Sequence, residues 1–290
     1  MSEFLGESEA QKVRSFDALR AYLRRESGLI LDADKRYLVE SRLSPIIRRE
    51  SINGLSDLVR ILELNQAPRL AQEVVQAMTI NETYFFRDRL PFDTLRNEIL
   101  PELIRNRAAQ KSLRIWCAAA STGQEPYSIA LIVEELASRM PGWRIDIIGT
   151  DLSEAALARA KEGLYSQFEV QRGLSTPQLL RYFNQIRDMW QLKENVRSRV
   201  KYRHMNLLGD YGMLGNFDVI FCRNVLIYFD AAKKSEVLNK MTRILAPDGA
   251  IFLGAAESVI GLDTKLAPHP KHRGVLVRNT HAQTLTKKQA

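Results

Sequence analysis

The chain has 290 residues, 45% hydrophobic and 26% charged, which fits a globular protein of one large or two modest domains. No apolar run approaches the roughly 20 residues that a membrane-spanning helix needs, and the acidic residues 1–10 lack the basic and apolar blocks of a signal peptide. The net charge of +8 suggests nucleic acid at first sight, yet residues 1–80 balance 12 basic against 12 acidic side chains, and residues 264–290 carry basic side chains but no acid; the excess is largely a polar tail, expected to be solvated and flexible over 283–290.

Residues 15–80 read as helical. Phe16, Leu19, Tyr22 and Leu23 recur at helical spacing, and Gly28 stops that helix. Asp32 or Asp34 is placed to cap the next one, which runs through Leu38, Val39, Leu43, Ile46 and Ile47; Pro45 is expected to kink or break it. Gly54 and Ser56 precede a helix over 58–64, and Pro68 precedes another reaching about Met78. A small all-helical domain over 15–85 is expected.

From about Phe92 the pattern changes. A helix over 95–107 leads into strand 113–117, helix 126–139, strand 145–149, helix 153–162, strand 217–222, helix 231–245, strand 250–254 and a last strand over 274–277. This alternation implies an α/β domain over 86–282, with a mostly parallel sheet covered by helices on both faces. Residues 166–206 interrupt it. Helix signals over 178–183 and an expected antiparallel pair at 189–193 and 200–203 read as a small inserted antiparallel β subdomain. Cys117 and Cys222 fall in expected buried strands; two such cysteines read as inert core thiols, not a disulfide framework, and the chain is expected in the cytoplasm.

The first strand, the small-residue turn 118–123 and a helix beginning near Pro126 make a place where backbone can approach a ligand. The second strand ends at Asp151, where βαβ folds grip a ribose. Together these say nucleotide-like cofactor. The turn has neither the G-x-G-x-x-G of dinucleotide enzymes nor the GK[ST] of a P-loop.

Three segments carry a resemblance: Asn-Glu-Thr-Tyr-Phe-Phe-Arg at 81–87, Ser-Thr-Gly-Gln-Glu-Pro-Tyr-Ser at 121–128, and Phe-Cys-Arg-Asn-Val-Leu-Ile-Tyr-Phe at 221–229. The turn resembles the first motif of S-adenosylmethionine-dependent methyltransferases. The three together resemble the chemotaxis receptor O-methyltransferases, the CheR family, over roughly residues 15–280. The resemblance implies a Rossmann-like methyltransferase sheet, S-adenosylmethionine as cofactor with no metal, and transfer of its methyl group to glutamate carboxylates of a chemoreceptor, giving methyl esters and S-adenosylhomocysteine.

It also implies a site. Asn81, Thr83, Arg87, Glu125, Asp151, Asn206, Leu207, Arg223 and Asn224 are the expected cofactor contacts, with Asn206 and Leu207 at the adenine. Arg87 and Tyr228 are expected to receive and steer the incoming carboxylate. Plain structural roles stand beside these. Asp151 competes with Ser153 as a helix N-cap, Glu125 could serve as a first-turn acid, Tyr228 as a half-buried core residue, and Asn206 as a loop asparagine. The four histidines, His204, His269, His272 and His281, lie outside the motifs and show no metal-ligand spacing.

Lys35, Arg42 and Arg49 recur every seven residues, and Arg36 and Arg48 add charge nearby. The resemblance makes this helix a docking surface for acidic helical bundles of receptors; the bland alternative is a solvated face. Residues 187–194 contain no glycine, unlike the extension by which some members bind a receptor's C-terminal pentapeptide, so independence of that tether is expected. The expected state is a monomer recruited to membrane receptors, without membrane insertion or nucleic-acid binding. Three alternatives remain: a nucleic-acid methyltransferase, disfavoured because 223–226 is not [DNS]-P-P-[YFW]; a non-catalytic cofactor sensor; and a small-acid methyltransferase, which leaves the helical domain without purpose.

Overall fold

The computed structural model describes residues 8–279. The expected tail at 283–290 and His281 lie outside the described residues. Contacts divide the chain into two compact units: one reaching to Ile80 and including Tyr228–Lys233, the other comprising Asn81–Ile227 and the residues from Lys234 onward.

The first unit is helical: α1 (Glu9–Ser27), α2 (Arg36–Arg49), α3 (Gly54–Glu63) and α4 (Pro68–Met78). Ser8 and Gln11 close a capping box at the start of α1, and Gly28 ends it. Leu19, Leu23, Val39, Leu43, Leu58 and Val74 are fully buried, each such side chain contributing about 1.5–3 kcal/mol of burial. Two expectations are corrected. Neither aspartate caps α2: Asp32 precedes a 3₁₀ turn, Ala33–Lys35, without a side-chain cap, and α2 follows directly. Pro45 does not break α2, which continues to Arg49 because Leu43, Ile46 and Ile47 keep its apolar face buried. The segment around Asp230 belongs here, where Arg24 grips the Asp230 carboxylate through Nε and Nη2 at 3.1 and 2.6 Å.

In the second unit, α5 (Leu90–Thr94), a π-helical turn (Leu95–Ile99) and α6 (Leu100–Asn106) follow one another, where the sequence indicated a plain helix. Then come β1 (Ser112–Cys117), α7 (Gln124–Leu136), β2 (Arg144–Asp151) and α8 (Glu154–Glu162). Helix α7 starts at Gln124, two residues before the expected Pro126. The next stretch holds β3 (Leu164–Ser166), α9 (Gln167–Gln171), α10 (Thr176–Tyr182), β4 (Phe183–Ile186), β5 (Met189–Leu192) and α11 (Glu194–Arg197). The chain closes with β6 (Val200–His204), β7 (Phe217–Cys222), α12 (Ala231–Ile244), β8 (Leu245–Leu253), β9 (Leu266–Pro268) and β10 (Val275–Arg278).

The seven-stranded sheet has the order β6-β2-β1-β7-β8-β10-β9. Its first five strands are parallel, while β10 runs antiparallel to β8 and to β9. A separate three-stranded antiparallel sheet has the order β3-β5-β4. The expected pairing of 189–193 with 200–203 is therefore wrong: β5 pairs with β3 and β4, and β6 is the parallel edge of the main sheet. An edge strand with exposed polar residues looks like a hairpin arm in sequence. Its place is fixed by packing. Tyr202 lies opposite Gly149, where a Cβ would come within 2.8 Å of the tyrosine ring, so only glycine lets this edge close.

Candidate functional site

The strand order reverses between β1 and β7, which lie side by side although five strands separate them in the chain. Open α/β sheets bind ligands in the crevice outside the carboxyl ends at such a reversal. The small-residue turn stands there. It is tied to its neighbours by Ala118 N–H on the Phe221 carbonyl at 2.8 Å and Ala120 N–H on the Thr150 carbonyl at 2.9 Å.

Asp151 ends β2 and is almost fully buried. Its Oδ2 accepts the Ser121 N–H and its Oδ1 the Ser153 N–H, both at 2.8 Å. Ser153, not Asp151, supplies the side-chain cap of α8, through the Ala156 N–H. Burial pushes the Asp151 carboxyl above its usual range, partly offset by the backbone N–H donors of Ser153 and Ser121. Backbone N–H groups, that of Leu152 included, thus hold both oxygens, and a carboxylate's roughly four acceptor positions are not all taken. Asn206 and Leu207 stand close by, since the Met205 N–H donates to the Asp151 carbonyl at 2.9 Å. Asn206 Oδ1 accepts the Leu208 N–H, and Leu207 is buried.

Glu125, in the first turn of α7, meets Arg223 at the end of β7. Arg223 donates from Nη1 to Glu125 Oε2, and from Nη2 to the Arg87 carbonyl and to Asp88 Oδ2, each at 2.8 Å. The Arg223 side chain is 1% exposed and its Nε finds no partner. Burial raises the Glu125 carboxyl, and the Arg223 guanidinium is the main influence holding it down. A cation facing Glu125 is thus the protein's own Arg223. One arginine fastens the 81–89 segment, the helix after β1 and the end of β7 to one another.

That segment is held at several further points. The Ser121 hydroxyl donates to the Asn81 carbonyl at 2.8 Å, and the Phe86 N–H to the Ser128 hydroxyl at 2.9 Å. Arg87 Nη1 donates to the Glu82 carbonyl at 2.6 Å, and its guanidinium lies 5.7 Å from the Tyr84 ring centre. The Arg172 guanidinium covers the same ring at 4.0 Å. Phe86, Asp88, Arg89, Ser121 and Asn224 all adopt positive φ without being glycine. Each such residue costs roughly 1–3 kcal/mol, and strain of this kind gathers where a ligand is held. A cavity of about 340 Å³ opens beside the segment, lined by Asn81, Thr83, Thr122, Gln124, Ser153 and Arg159 among others. That volume is within the range of small-molecule sites, roughly 300–1,000 Å³.

The structure thus gathers Asn81, Thr83, Arg87, Glu125, Asp151, Asn206, Leu207, Arg223 and Asn224 in the second unit, around the strand ends. Tyr228 ends a short 3₁₀ turn, Leu226–Tyr228, and groups with the helical unit, where its carbonyl accepts the Ile30 N–H at 2.9 Å. Sequence reasoning missed Glu257. Its carboxylate receives backbone N–H groups from residues 224–227. Nothing local marks it, because those donors lie about thirty residues away in the chain.

Lys35, which ends the 3₁₀ turn, and the four basic residues of α2 do not form one free stripe. Arg42 donates from Nη1 to the carbonyls of Ala77, Met78 and Thr79, at 3.4, 3.1 and 2.9 Å, at the C-terminal end of α4. Arg49 forks onto Glu73, Arg36 meets Glu9, and Lys35 meets its neighbour Asp34. Arg48 is exposed. Cys117 and Cys222 are free and buried, and burial raises both thiols, which agrees with inert core residues. Among the described residues no helix is long and apolar enough to cross a membrane, and no cluster of metal-ligating side chains occurs.

Two family models match the chain: the CheR methyltransferase all-alpha domain over residues 14–79, and the CheR methyltransferase SAM binding domain over residues 81–275. Chemotaxis protein methyltransferase Cher2 of Pseudomonas putida is 43% identical over 251 residues, covering 85% of this chain and 91% of the relative. Chemotaxis protein methyltransferase 1 of Pseudomonas aeruginosa is 43% identical with the same coverage. The chemotaxis protein methyltransferase of Vibrio anguillarum is 42% identical over 258 residues, 88% of this chain and 92% of that one. With both domain models in order and relatives matched over nearly their whole length, the chain belongs to the CheR methyltransferase family, S-adenosylmethionine-dependent enzymes built from an all-helical domain and an α/β sheet domain.

Proposed function

We propose that this enzyme methylates glutamate side-chain carboxylates on the cytoplasmic helical bundle of a chemoreceptor, as a monomer and without a receptor C-terminal pentapeptide tether. The observation that supports the cofactor side is Asp151. It is a buried carboxylate at the end of β2, held by backbone N–H donors that include those of Ser121 and Ser153, and it is the acceptor that would meet the ribose hydroxyls. The unpartnered Nε of buried Arg223 is a donor of the kind a methionine carboxylate would satisfy. Asn81, Thr83, Asn224 and the Asn206–Leu207 pair would complete the cofactor's surroundings.

When bound, S-adenosylmethionine supplies a methyl group on a cationic sulfur. A glutamate carboxylate ionises near pH ~4.3 and is already a nucleophile at neutral pH, so no general base is required. The chain's residues have then to orient the carboxylate and exclude water, and positioning of that kind supplies up to roughly 7–11 kcal/mol. In this reading Arg87 forks onto the incoming carboxylate and Tyr228 steers it. Lys35 just before α2, with Arg36, Arg48 and Arg49 on it, gives this region its cationic character toward an acidic bundle, an attraction that weakens with salt.

The test is incubation of the purified enzyme with methyl-labelled S-adenosylmethionine and membranes bearing receptors with and without their C-terminal pentapeptide. Alkali-labile label on both receptor forms is expected. Alkali-stable label rejects a methyl ester, and label confined to the pentapeptide form rejects tether independence.

A further inference from the structure

We propose that Glu257 is a positioning residue for the cofactor site, fixing Asn224 through the backbone. The inference rests on the reading of Asn224 as a cofactor contact. Glu257 Oε2 accepts the N–H groups of Asn224 and Gly254, at 2.9 and 2.6 Å. Its Oε1 accepts those of Val225, Leu226 and Ile227, at 3.0, 2.7 and 3.3 Å. An ionised carboxylate offers about four lone-pair positions, so five donors saturate it. Glu257 therefore has no acceptor left for substrate or cofactor, and its influence must pass through the loop it binds.

That loop needs holding. Successive N–H groups pointing into one concavity form an anion nest, and the carboxylate fills it with a fixed negative charge. Asn224 has φ of 57°, a left-handed conformation that asparagine tolerates better than most residues with a side chain but that still has to be held in place. It is constrained from both sides: Arg223, just before it, is fastened to Glu125 and Asp88, and the three residues after it are fastened to Glu257. The end of β8 closes the arrangement. A Cβ on Gly254 would lie 2.8 Å from Asn224 Nδ2, 2.8 Å from Glu257 Oε2 and 2.9 Å from Asn224 N. The Asn224 amide therefore rests on bare glycine backbone, and any side chain at 254 pushes it aside.

Two substitutions of different chemistry should then converge on one phenotype. Glu257→Gln replaces one acceptor oxygen by a donor, and Gly254→Ala keeps the carboxylate's charge but crowds both Glu257 Oε2 and the Asn224 amide. Titration of the full-length enzyme with S-adenosylhomocysteine should show Kd raised about tenfold in each, the loss of one to two charge-assisted bonds. KM for S-adenosylmethionine should rise by the same factor, while kcat at saturating cofactor changes less than about threefold. A purely structural residue would lower the melting temperature and leave Kd of the folded protein unchanged. The proposal is overturned if either folded variant stays within about twofold of wild type while Asn224→Ala weakens binding. If Asn224→Ala itself leaves Kd unchanged, the cofactor role of Asn224 fails first, which separates the two failures. Should Glu257→Gln not fold, Glu257→Asp, which keeps the charge but shortens its reach to the loop, decides by the same Kd comparison.

Discussion

The carboxylate of Asp151 is fixed by backbone donors, and its ionised form accepts hydroxyls better than the protonated form, which gives up acceptor capacity and charge to the proton. Burial raises it above the ordinary value of 3.8. The sign follows. At pH well above the raised value the residue is ionised and affinity is flat; as pH falls through that value, binding must first remove a proton and affinity declines. Titrations with S-adenosylhomocysteine between about pH 4 and 7 should show this decline beginning above 3.8, and Asp151→Asn should abolish the step while weakening binding throughout. A pH-independent affinity over that range would remove Asp151 from the ribose. Asp151 was legible as a candidate because it ends an apolar strand. Arg223 was legible only as a motif member. Its partners lie 98 and 135 residues away, so the clamp it forms cannot be read from spacing.

Among the elements, α2 gives the sharpest contrast between pattern and use. The heptad of Lys35, Arg42 and Arg49 is a real stripe in sequence, but Arg42 spends its guanidinium on the last carbonyls of α4. Cations at a helix C-terminus are stabilising, and the hydrogen bonds add to this. Arg42→Ala should therefore destabilise the protein by about 1–2 kcal/mol in urea unfolding. Unchanged stability together with reduced receptor methylation would instead assign Arg42 to docking. The main helices and the apolar strands β1, β2 and β7 were visible from period and from breakers such as Pro68, which opens α4, whereas the short β3, β4, β9, α9 and α11 were not anticipated. The misplacement of β6 has a physical cause. Edge strands carry one polar side, and which sheet they join is decided by a partner such as Gly149 that the strand itself does not encode.

For the molecule as a whole, acid stability should depend on one network linking the end of α6 to the sheet. Arg107 Nη1 binds Asp248 Oδ2 at 2.9 Å and Arg107 Nε binds Asp218 Oδ1 at 3.2 Å. The Asp248 carboxyl is held down from 3.8 to about 2, chiefly by its hydrogen bond to Arg107. A lowered carboxyl stabilises the fold above its unfolded value, and that contribution is lost as pH falls from about 3.8 toward 2. Asp248→Asn should cost about 1 kcal/mol at neutral pH, after discounting for solvent screening. The difference from wild type should vanish in the same acid window by thermal unfolding; a difference that persists there would deny the ion pair its role.

The sequence by itself determined the two-part composition, the strand–turn–helix with its terminal acid, and the three motif segments. These depend on periodicity and on residues adjacent in the chain, where local sterics and apolar spacing suffice. The tertiary structure decided what those residues touch: that Glu125 faces Arg223, that Arg42 serves α4, that β6 closes the main sheet, and that Glu257 fills the nest after β7. Each of these joins groups brought together only when the chain has closed long loops around a core, and no short-range pattern records which donor will then meet which acceptor.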